Sequence, residues 1–300
     1  MTETYPAHPS DEDRYRSLFE NVPIGLYITA PDSRIIDVNA ALAKMLGYSD
    51  KDALLGTPAS DLYANPADRE HEQLLFEEEP LVEDYEAQLK CCDGRLIWVR
   101  DTCRAIRNDD GSIRAFEGSL QDITDEKAAE EQLIYMAMHD PLTGVHNRYA
   151  LTQLLETETS RARRYEHPIG VLMVDVNRFK EVNDRFGHAL GDRVLQIVAD
   201  VLTSSVRDTD FVVRYGGDEF LVVLIETNGE TAVVRDRIIQ AMAHRHPLDL
   251  LIDFSITLSI GLAHWIPGSG MSMESVLSEA DAAMYEEKRR DASVSSDRRS

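Results

Sequence analysis

The stretch FVVRYGGDEFLVVLI, residues 211–225, constrains the fold of this 300-residue chain more than any other segment. Two runs of strand-forming apolar residues flank a short connection that contains two glycines, which is the pattern of a β-hairpin. The connection also carries two carboxylates, Asp218 and Glu219, although glycine alone could make the turn. An ordinary hairpin tip on the surface is one interpretation, and a further acidic position upstream suggests another.

That further position is Asp175, which follows the apolar run VLMV in the predicted strand IGVLMVDV, residues 169–176. If this strand and the hairpin are neighbours in one sheet, Asp175 and Asp218 meet at its edge. Carboxylates that lie so close repel each other, and a divalent cation relieves the repulsion. Oxygen ligands of this kind favour Mg²⁺ or Mn²⁺. Gly216 and Gly217 lack a Cβ atom, so a ligand can approach their backbone closely.

Helical and strand patterns alternate around the hairpin, which predicts an α/β sandwich whose sheet is covered on its helical face. The predicted helices cover residues 150–166, 191–206, 231–245 and 272–290, and a further strand covers residues 254–263. Ser272 is a plausible N-cap for the closing helix.

The first half of the chain has a different pattern, with short strand-like segments separated by the turns PDS, CDG and DDG. These turns favour hairpins, so residues 14–124 are predicted to form a small antiparallel sheet with helices on one face. Residues 1–13 are polar and contain two prolines, which is typical of a disordered tail. Residues 291–300 are predicted to form a second tail.

A helical linker is predicted over residues 125–138, between the two halves. The surrounding sequence DITDEKAAEEQLIYMAMHD is rich in helix formers and has no glycine or proline. If two chains pair along this helix, a change in the first domain could shift whatever follows it. A plain connecting segment is the alternative.

Charge and composition exclude several classes of partner. Acidic residues outnumber basic ones 54 to 31, for a net charge of −23, whereas nucleic-acid binding needs a basic face. No apolar run approaches the roughly 20 residues that cross a bilayer, and the polar, acidic start is unlike a signal peptide. Three cysteines, two of them adjacent, fit neither a disulfide framework nor a zinc site. We expect a cytoplasmic protein that binds neither nucleic acid nor membranes.

Two segments of the first half, NVPIGLYITAPDSRIIDVNAALAKMLGYS and FEGSLQDITDEKAAEEQL, stand out together with the order of the predicted elements. On these grounds residues 14–124 resemble the PAS sensor family. The resemblance implies the fold but no particular ligand, since such domains bind haem, flavin, small metabolites or nothing. His71 lies in the helical region where haem-binding members carry their proximal histidine. An exposed polar histidine on a charged helix is the alternative interpretation.

Five motifs of the second half occur in a specific order, namely HDPLTGVHNR, MVDVNRFKEVNDRFGHALGDRVL, RYGGDEF, ITLSIGLA and ADAAMYEEK. Together they resemble the GGDEF diguanylate cyclase family over residues 139–290. The resemblance implies a fold like the polymerase palm and the nucleotide cyclases, and the condensation of two GTP molecules into cyclic di-GMP and two pyrophosphates. It also implies a homodimer, because each chain would offer one GTP site and the product has two-fold symmetry. The PAS domain and the linker helix would mediate the pairing.

The resemblance assigns a role to individual residues of this chain. The metal ligands would be the carboxylates of Asp175 and Asp218 and the backbone carbonyl of Val176. Asp218 and Glu219 would be the catalytic acidic residues, with Asp218 the first candidate for the general base. The substrate-binding residues would be the guanine-binding pair Asn183 and Asp192, the phosphate-contacting Lys180 and Lys288, and Gly216 and Gly217. Arg207 and Asp210 would form an inhibitory site for the product.

Each of these residues also has a plain structural interpretation. Asn183 and Asp192 could cap a helix and a loop, the two lysines could be solvated, and Arg207 with Asp210 could be an exposed turn.

Two positions depart from the family pattern. Asn177 stands where the family often has Asp, and Ala292 stands where an arginine usually follows the lysine of the closing helix. Arg289 or Arg290 could reach the same phosphate. The missing arginine leaves a second function open, a non-catalytic signalling module that binds GTP or cyclic di-GMP.

Overall fold

The computed structural model describes residues 10–227, 229–244 and 255–297. Two compact units make up the chain, residues 1–131 and 132–300, and each has its own sheet and its own apolar core. Residues 1–9 and 298–300 of the two predicted tails lie outside the described residues.

The first unit is built on a five-stranded antiparallel sheet, as predicted. Its strands are β1 (Gly25–Thr29), β2 (Ile35–Val38), β3 (Leu81–Lys90), β4 (Leu96–Arg107) and β5 (Ile113–Asp122), in the order β2-β1-β5-β4-β3. The CDG and DDG turns join β3 to β4 and β4 to β5. Their glycines, Gly94 and Gly111, both have a φ of 86°, a left-handed backbone that glycine adopts without strain.

Five helices accompany this sheet. They are α1 (Asp11–Asn21), α2 (Ala40–Met45), α3 (Lys51–Leu55), α4 (Ala59–Leu62) and α5 (Pro66–Glu78). Leu46, Leu54 and Phe76 are fully buried in the core that α2 to α5 form with the strands. Helix α1 buries no residue and begins at Asp11, where the Ser10 hydroxyl accepts a hydrogen bond from the Asp13 amide. Residues 11–13 of the predicted tail are therefore helical.

Helix α6 (Thr124–Met138) is attached to the first sheet at its first turn. The Asp122 carboxylate accepts a hydrogen bond from the Thr124 amide at 2.9 Å, and the Thr124 hydroxyl accepts one from the Trp98 amide at 3.0 Å. Arg100 of β4 adds an ion pair to Glu126 at 3.5 Å. Farther along, no residue of α6 is buried, and the four apolar side chains at 133–136 are all more than half exposed.

The second unit contains a mixed five-stranded sheet in the order β10-β7-β9-β8-β6. The strands are β6 (His146–Asn147), β7 (Ile169–Val176), β8 (Phe211–Gly216), β9 (Glu219–Ile225) and β10 (Leu258–Trp265). The helices are α7 (Arg148–Tyr165), α8 (Phe179–Phe186), α9 (His188–Ser204), α10 (Thr231–Ala243) and α11 (Met273–Asp297). Among the strands in the described part of this unit, β6 and β8 are the one parallel pair.

Helices cover both faces of this sheet. On one face, Leu172 and Val174 of β7 pack with α9 and α10. On the other face, Val171 and Met173 pack with α7 and α11. All eight residues of β7 are buried as a result, which explains why this strand is apolar without alternation.

Several boundaries differ from the sequence-based prediction. Helix α8 was not predicted, because seven of its eight residues are not buried and its sequence FKEVNDRF is mostly charged or polar. Helix α11 continues to Asp297, so position 292 lies within it. The predicted strand 254–263 begins at a residue outside the described part, and β10 runs from Leu258 to Trp265. Across the described ranges, each helix falls short of the length or the apolarity needed to span a lipid bilayer.

Helix α11 crosses β10 in close contact at Gly261. A Cβ atom on Gly261 would lie 2.0 Å from the Ala280 carbonyl oxygen and 2.2 Å from the Met284 nitrogen. One turn later, the Glu287 carboxylate accepts a hydrogen bond from the Ile260 amide at 2.8 Å. The backbone of the helix is thus held directly against the strand, and this contact fixes the position of Lys288.

Candidate active site

Strands β7 and β9 place the two acidic segments at the same end of the sheet. Asp175, the penultimate residue of β7, is opposite Glu219 in the antiparallel register. The Val176 amide donates a hydrogen bond to the Asp218 carbonyl, with 3.2 Å between nitrogen and oxygen. The hairpin turn itself consists of Gly217 and Asp218, and Gly217 has a φ of 49°. The structure therefore brings Asp175 beside the turn that carries Asp218.

Two carboxyl groups at this position, those of Asp218 and Glu219, have a raised pKa. Burial raises the pKa of Asp218 above its ordinary value, and the charge of Asp175 raises it further. The pKa of Glu219 is also raised, first by burial and then by the charges of Asp175 and Asp218. Ionising Asp218 and Glu219 beside the charge of Asp175 is therefore unfavourable, and a nearby positive charge would lower this cost.

Lys288 supplies one such positive charge. Its ammonium group donates to both carboxylate oxygens of Asp175, at 2.7 and 2.8 Å. The Asp175 side chain is only 6% exposed, whereas that of Lys288 is 42% exposed. The family resemblance implies that Lys288 contacts a phosphate of the substrate. In this structure Lys288, on α11, instead neutralises the buried carboxylate of Asp175.

The donor set at the sheet edge fits a divalent cation. Among the described residues, no three His, Cys, Asp or Glu side chains are grouped closely enough to hold a metal by themselves. The predicted set needs only the carboxylates of Asp175 and Asp218 with the Val176 carbonyl, and oxygen donors of this type suit Mg²⁺ or Mn²⁺. Asp175 already binds a cationic group, the Lys288 ammonium. Substrate oxygens would have to complete the coordination.

Arg214 holds the turn in place, and the sequence analysis missed it. Its Nε and Nη2 donate to the Gly217 carbonyl at 3.1 and 2.9 Å, and its Nη1 donates to both oxygens of Asp140 at 3.0 and 3.1 Å. The Asp140 carboxylate also accepts a hydrogen bond from the Thr143 amide. The sequence did offer a signal for the contact with the turn, because Arg214 stands three residues before Gly217. It offered none for the contact with Asp140, which is 74 residues away.

Asn183 and Asp192, the predicted guanine-binding pair, lie on the two arms of the α8–α9 hairpin. The Asn183 side chain contacts Gly191, since a Cβ atom there would lie 2.0 Å from the Asn183 Oδ1. Asp192 is the next residue and is exposed, as is Lys180 on α8. The structure thus places the pair side by side on a surface that a base can reach.

Asn177 connects the ends of two strands. Its Nδ2 donates to the Thr257 hydroxyl at 3.0 Å, and its Oδ1 accepts from the Ser259 hydroxyl at 2.8 Å. The amide thus provides both a donor and an acceptor next to Asp175. This role accounts for an asparagine at a position where the resembled family often has Asp.

Two family models match the chain in the expected order. Residues 137–293 match the model described as diguanylate cyclase, GGDEF domain, and residues 23–125 match the PAS domain. The chain belongs to the GGDEF family of diguanylate cyclases. A PAS domain precedes its GGDEF domain.

Curated relatives and solved structures agree with this assignment. An uncharacterized signaling protein of Caulobacter vibrioides is 33% identical over 287 residues, which cover 92% of this chain and 34% of that protein. Diguanylate cyclase DgcM of Escherichia coli is 34% identical over 169 residues, which cover 56% of this chain and 40% of that protein. The chain therefore spans about a third to two fifths of the length of these two relatives.

Among solved structures, the coiled coil and GGDEF domain of DgcB from Caulobacter crescentus, in complex with c-di-GMP, is similar with a TM-score of 0.50 and 29% identity. The match covers 56% of this chain and 88% of that chain.

Arg207 and Asp210 of the GGDEF domain lie in the turn between α9 and β8. The Asp210 carboxylate accepts hydrogen bonds from the Arg207 and Ile225 amides, at 3.0 and 2.9 Å. The Arg207 guanidinium is on the surface, 62% exposed, and pairs with Glu230 at 2.6 Å. Asp210 therefore shapes the turn, and an anion at Arg207 would have to compete with Glu230.

His71 is exposed on helix α5 of the PAS domain. Its ring centroid lies 6.0 Å from that of Tyr85. It is not among the residues that line the cavity in the PAS core, and its exposure agrees with the interpretation of a polar histidine on the surface of a charged helix.

Proposed function

We propose that this chain is a sensor-regulated diguanylate cyclase, which condenses two GTP molecules into cyclic di-GMP and two pyrophosphates. One observation carries the proposal, the position of buried Asp175 beside the Asp218 turn with Lys288 bonded to it. Membership of the GGDEF family supports the reaction type, and DgcM is an example of a relative named diguanylate cyclase.

Asp175, Asp218 and the Val176 carbonyl would hold Mg²⁺ or Mn²⁺. A bound divalent ion lowers the cost of ionising a 3′-hydroxyl and neutralises charge on the α-phosphate and the leaving pyrophosphate. Asp218 is the first candidate for the proton acceptor, because burial and the neighbouring Asp175 raise its pKa and so make it a stronger base. Glu219 completes the acidic cluster.

The remaining residues of the site would bind GTP. The Asp192 carboxylate can accept hydrogen bonds from guanine N1–H and the exocyclic amine, a donor pattern that adenine lacks, with Asn183 beside it. Lys180 and Lys288 would contact phosphate oxygens. A Cβ atom at Gly216 or Gly217 would meet nothing within 4 Å, so the backbone there is open to the phosphates.

The reaction also requires a homodimer, which we propose forms through the PAS domain and α6. Each bound GTP would supply its hydroxyl to the α-phosphate of the other, so the two sites must face each other. The exposed apolar residues at 133–136 of α6 support pairing along this helix. The PAS domain would then control how often the sites meet.

Incubation of the full chain with GTP and Mg²⁺ tests the proposal. We expect cyclic di-GMP and pyrophosphate in a ratio of one to two, and no product with ATP or with EDTA. Tight binding of GTP or cyclic di-GMP without turnover would instead favour the non-catalytic signalling module.

We predict that Asp192→Asn raises the KM for GTP at least tenfold and weakens the preference for GTP over ATP. The amide cannot accept both guanine hydrogen bonds without presenting a mismatched donor, and such mismatches are costly. Steady-state kinetics with both nucleotides measure the effect. Asp200→Asn is the matched control, an exposed aspartate on the same helix. Unchanged selectivity in the Asp192 variant would remove this residue from the guanine site.

We propose that cyclic di-GMP inhibits the enzyme at Arg207 and Asp210. The expected result for Arg207→Ala is a rise of about tenfold or more in the product concentration that halves the rate, because a bidentate guanidinium contact is lost. Glu230→Gln should have the opposite effect, since it frees Arg207 from its ion pair. Arg161→Ala, an exposed arginine on α7, should leave inhibition intact. Full inhibition of the Arg207 variant would contradict the assignment.

A further inference from the structure

The side chain of Asn147 fastens the end of helix α6 to the GGDEF domain. The last carbonyl groups of a helix lack a partner within the helix. Asn147 Nδ2 donates to two carbonyl oxygens at this end, that of Ala137 at 2.8 Å and that of His139 at 3.2 Å. Its Oδ1 accepts a hydrogen bond from the Ala150 amide at 3.0 Å and so caps the first turn of α7. Asn147 therefore joins the end of α6 to the start of α7.

Residues 139–147 form a loop that is closed by its own contacts. The Asp140 amide donates a hydrogen bond to the Val145 carbonyl at 2.8 Å. His139 and His146 form a β-bridge near the two ends of the loop, and their ring centroids lie 4.5 Å apart. Because the loop is braced in this way, a displacement of the end of α6 moves it as one body.

Asp140 connects this loop to strand β8. Its carboxylate accepts hydrogen bonds from the Thr143 amide at 2.9 Å and the Thr143 hydroxyl at 2.7 Å, so the loop fixes its direction. Both carboxylate oxygens also accept from Arg214 Nη1, at 3.0 and 3.1 Å. Burial alone would raise the pKa of Asp140, but the hydrogen bonds from Thr143 and Arg214 bring it below its ordinary value. Asp140 and Arg214 are therefore an ion pair, and each side chain is only 17% exposed.

The same guanidinium group reaches the turn that carries Asp218. Arg214 Nε and Nη2 donate to the Gly217 carbonyl oxygen at 3.1 and 2.9 Å. That carbonyl belongs to the planar peptide unit that joins Gly217 to Asp218, so a shift of its oxygen also moves the start of Asp218. Catalytic groups tolerate little misplacement, since an error of about 1 Å can cost roughly 100-fold in rate. The position of the Arg214 guanidinium therefore bears on the rate of the reaction.

We propose that a relay within one chain lets the end of α6 set the position of the Asp218 carboxylate. Its members are the positioning residues Asn147, Asp140 and Arg214. When the end of α6 shifts, Asn147 carries the loop with it, and Asp140 then turns the guanidinium group that holds the Gly217 carbonyl. The signal of the PAS domain would thus change the rate of the chemical step in each site, and not only how often two sites meet. This inference rests on the proposed cyclase function.

Asn147→Asp breaks the relay at its first contact. An aspartate still caps α7, but its carboxylate cannot donate to the carbonyl oxygens of α6 and is repelled by them. We expect the kcat of the full chain with GTP and Mg²⁺ to fall about tenfold and the KM for GTP to stay within about twofold, because no contact with the substrate is lost. Asn65→Asp, at the exposed N-cap of α5, is the matched control and should retain the unmodified rate. Asn147→Ser, which also caps α7 but is too short to reach α6, takes the place of the charged variant if that variant does not fold.

A second variant tests whether the contacts act in series. Arg214→Lys keeps the positive charge but lacks the planar fork, so it cannot bind Asp140 and the Gly217 carbonyl together, and kcat should again fall about tenfold. The loss in the double variant should equal the larger single loss, because a route that is already broken cannot be broken again. Losses that multiply to about a hundredfold would show two independent effects and would overturn the relay. A loss in Asn147→Asp that disappears at high protein concentration would place the effect in dimer formation and would also overturn it.

Backbone amide resonances test the relay without any need for activity. In ¹⁵N spectra of the full chain, the amides of Gly217 and Asp218 should shift in Asn147→Asp. The amide of Gly261, in β10 at the opposite edge of the same sheet from β6, should stay in place. A chain that makes no cyclic di-GMP would refute the proposed function, and these spectra would still decide on the relay. Unchanged resonances of Gly217 and Asp218 would overturn it.

Discussion

Asp218→Asn is expected to lower the rate of cyclic di-GMP formation by about 10³-fold or more. The substitution removes a negative oxygen ligand and the first candidate for the proton acceptor, and together these contribute several kcal/mol to the transition state. The rate of pyrophosphate release from GTP and Mg²⁺ measures the loss. Asp236→Asn, an exposed aspartate on α10, is the matched control and should retain full activity.

The same variant should be no less stable than the unmodified chain in metal-free buffer at neutral pH. Because the pKa of Asp218 is raised in the fold, its ionised form costs stability as the pH rises through that raised pKa, and asparagine removes the cost. Asp175→Asn should be destabilised instead, since it breaks the ion pair with Lys288. Thermal unfolding of both variants, with and without Mg²⁺, measures this difference in stability.

The assignment fails if Asp218→Asn keeps more than a tenth of the rate. It also fails if Mg²⁺ with GTP stabilises the variant as much as the unmodified chain, because the carboxylate would then have no part in binding the ion.

Gly261→Ala is expected to destabilise the GGDEF domain by about 3 kcal/mol. The new methyl group would meet backbone atoms of Ala280 and Met284, which cannot rotate away as a flexible side chain could. Helix α11 would have to separate from β10 and would carry Lys288 away from Asp175. Denaturant unfolding measures the loss, and activity should fall with it.

Gly216→Ala is the matched control for stability. Its Cβ would meet nothing within 4 Å, and its backbone is not left-handed, so a change within about 0.5 kcal/mol is expected. Equal stability of the two variants would show that the helix does not pack on the strand at this distance.

The features that could be predicted from the sequence are those that depend on residues close together in the chain, such as turns and apolar runs. The glycine turn between two apolar runs located β8 and β9, and the uninterrupted apolar run located β7. Helix α8 was not predicted, because its mostly charged and polar sequence has a single buried residue, Val182, and so shows no apolar periodicity. That the sheet is covered on both faces follows from the burial of every residue of β7, which the apolar run alone did not establish.

Contacts between distant parts of the chain could not be predicted in this way. Lys288 and Asp175 are 113 residues apart, and no local spacing relates them. In the PAS domain, the sequence PADREHEQLL directed attention to His71 as a ligand. The structure instead buries Arg69 and Glu72 of the same helix, because they face β4 while His71 faces solvent.

The alternation of side chains along β4 has a mechanical consequence. Successive residues of a strand point to opposite sides, so Asp101 faces the cavity while Arg100 reaches Glu126 in the first turn of α6. One peptide unit joins these two residues. Any displacement of Asp101, even by a fraction of an ångström, must also pull on Arg100. The first turn of α6 would therefore shift when the packing around Asp101 in the domain interior changes.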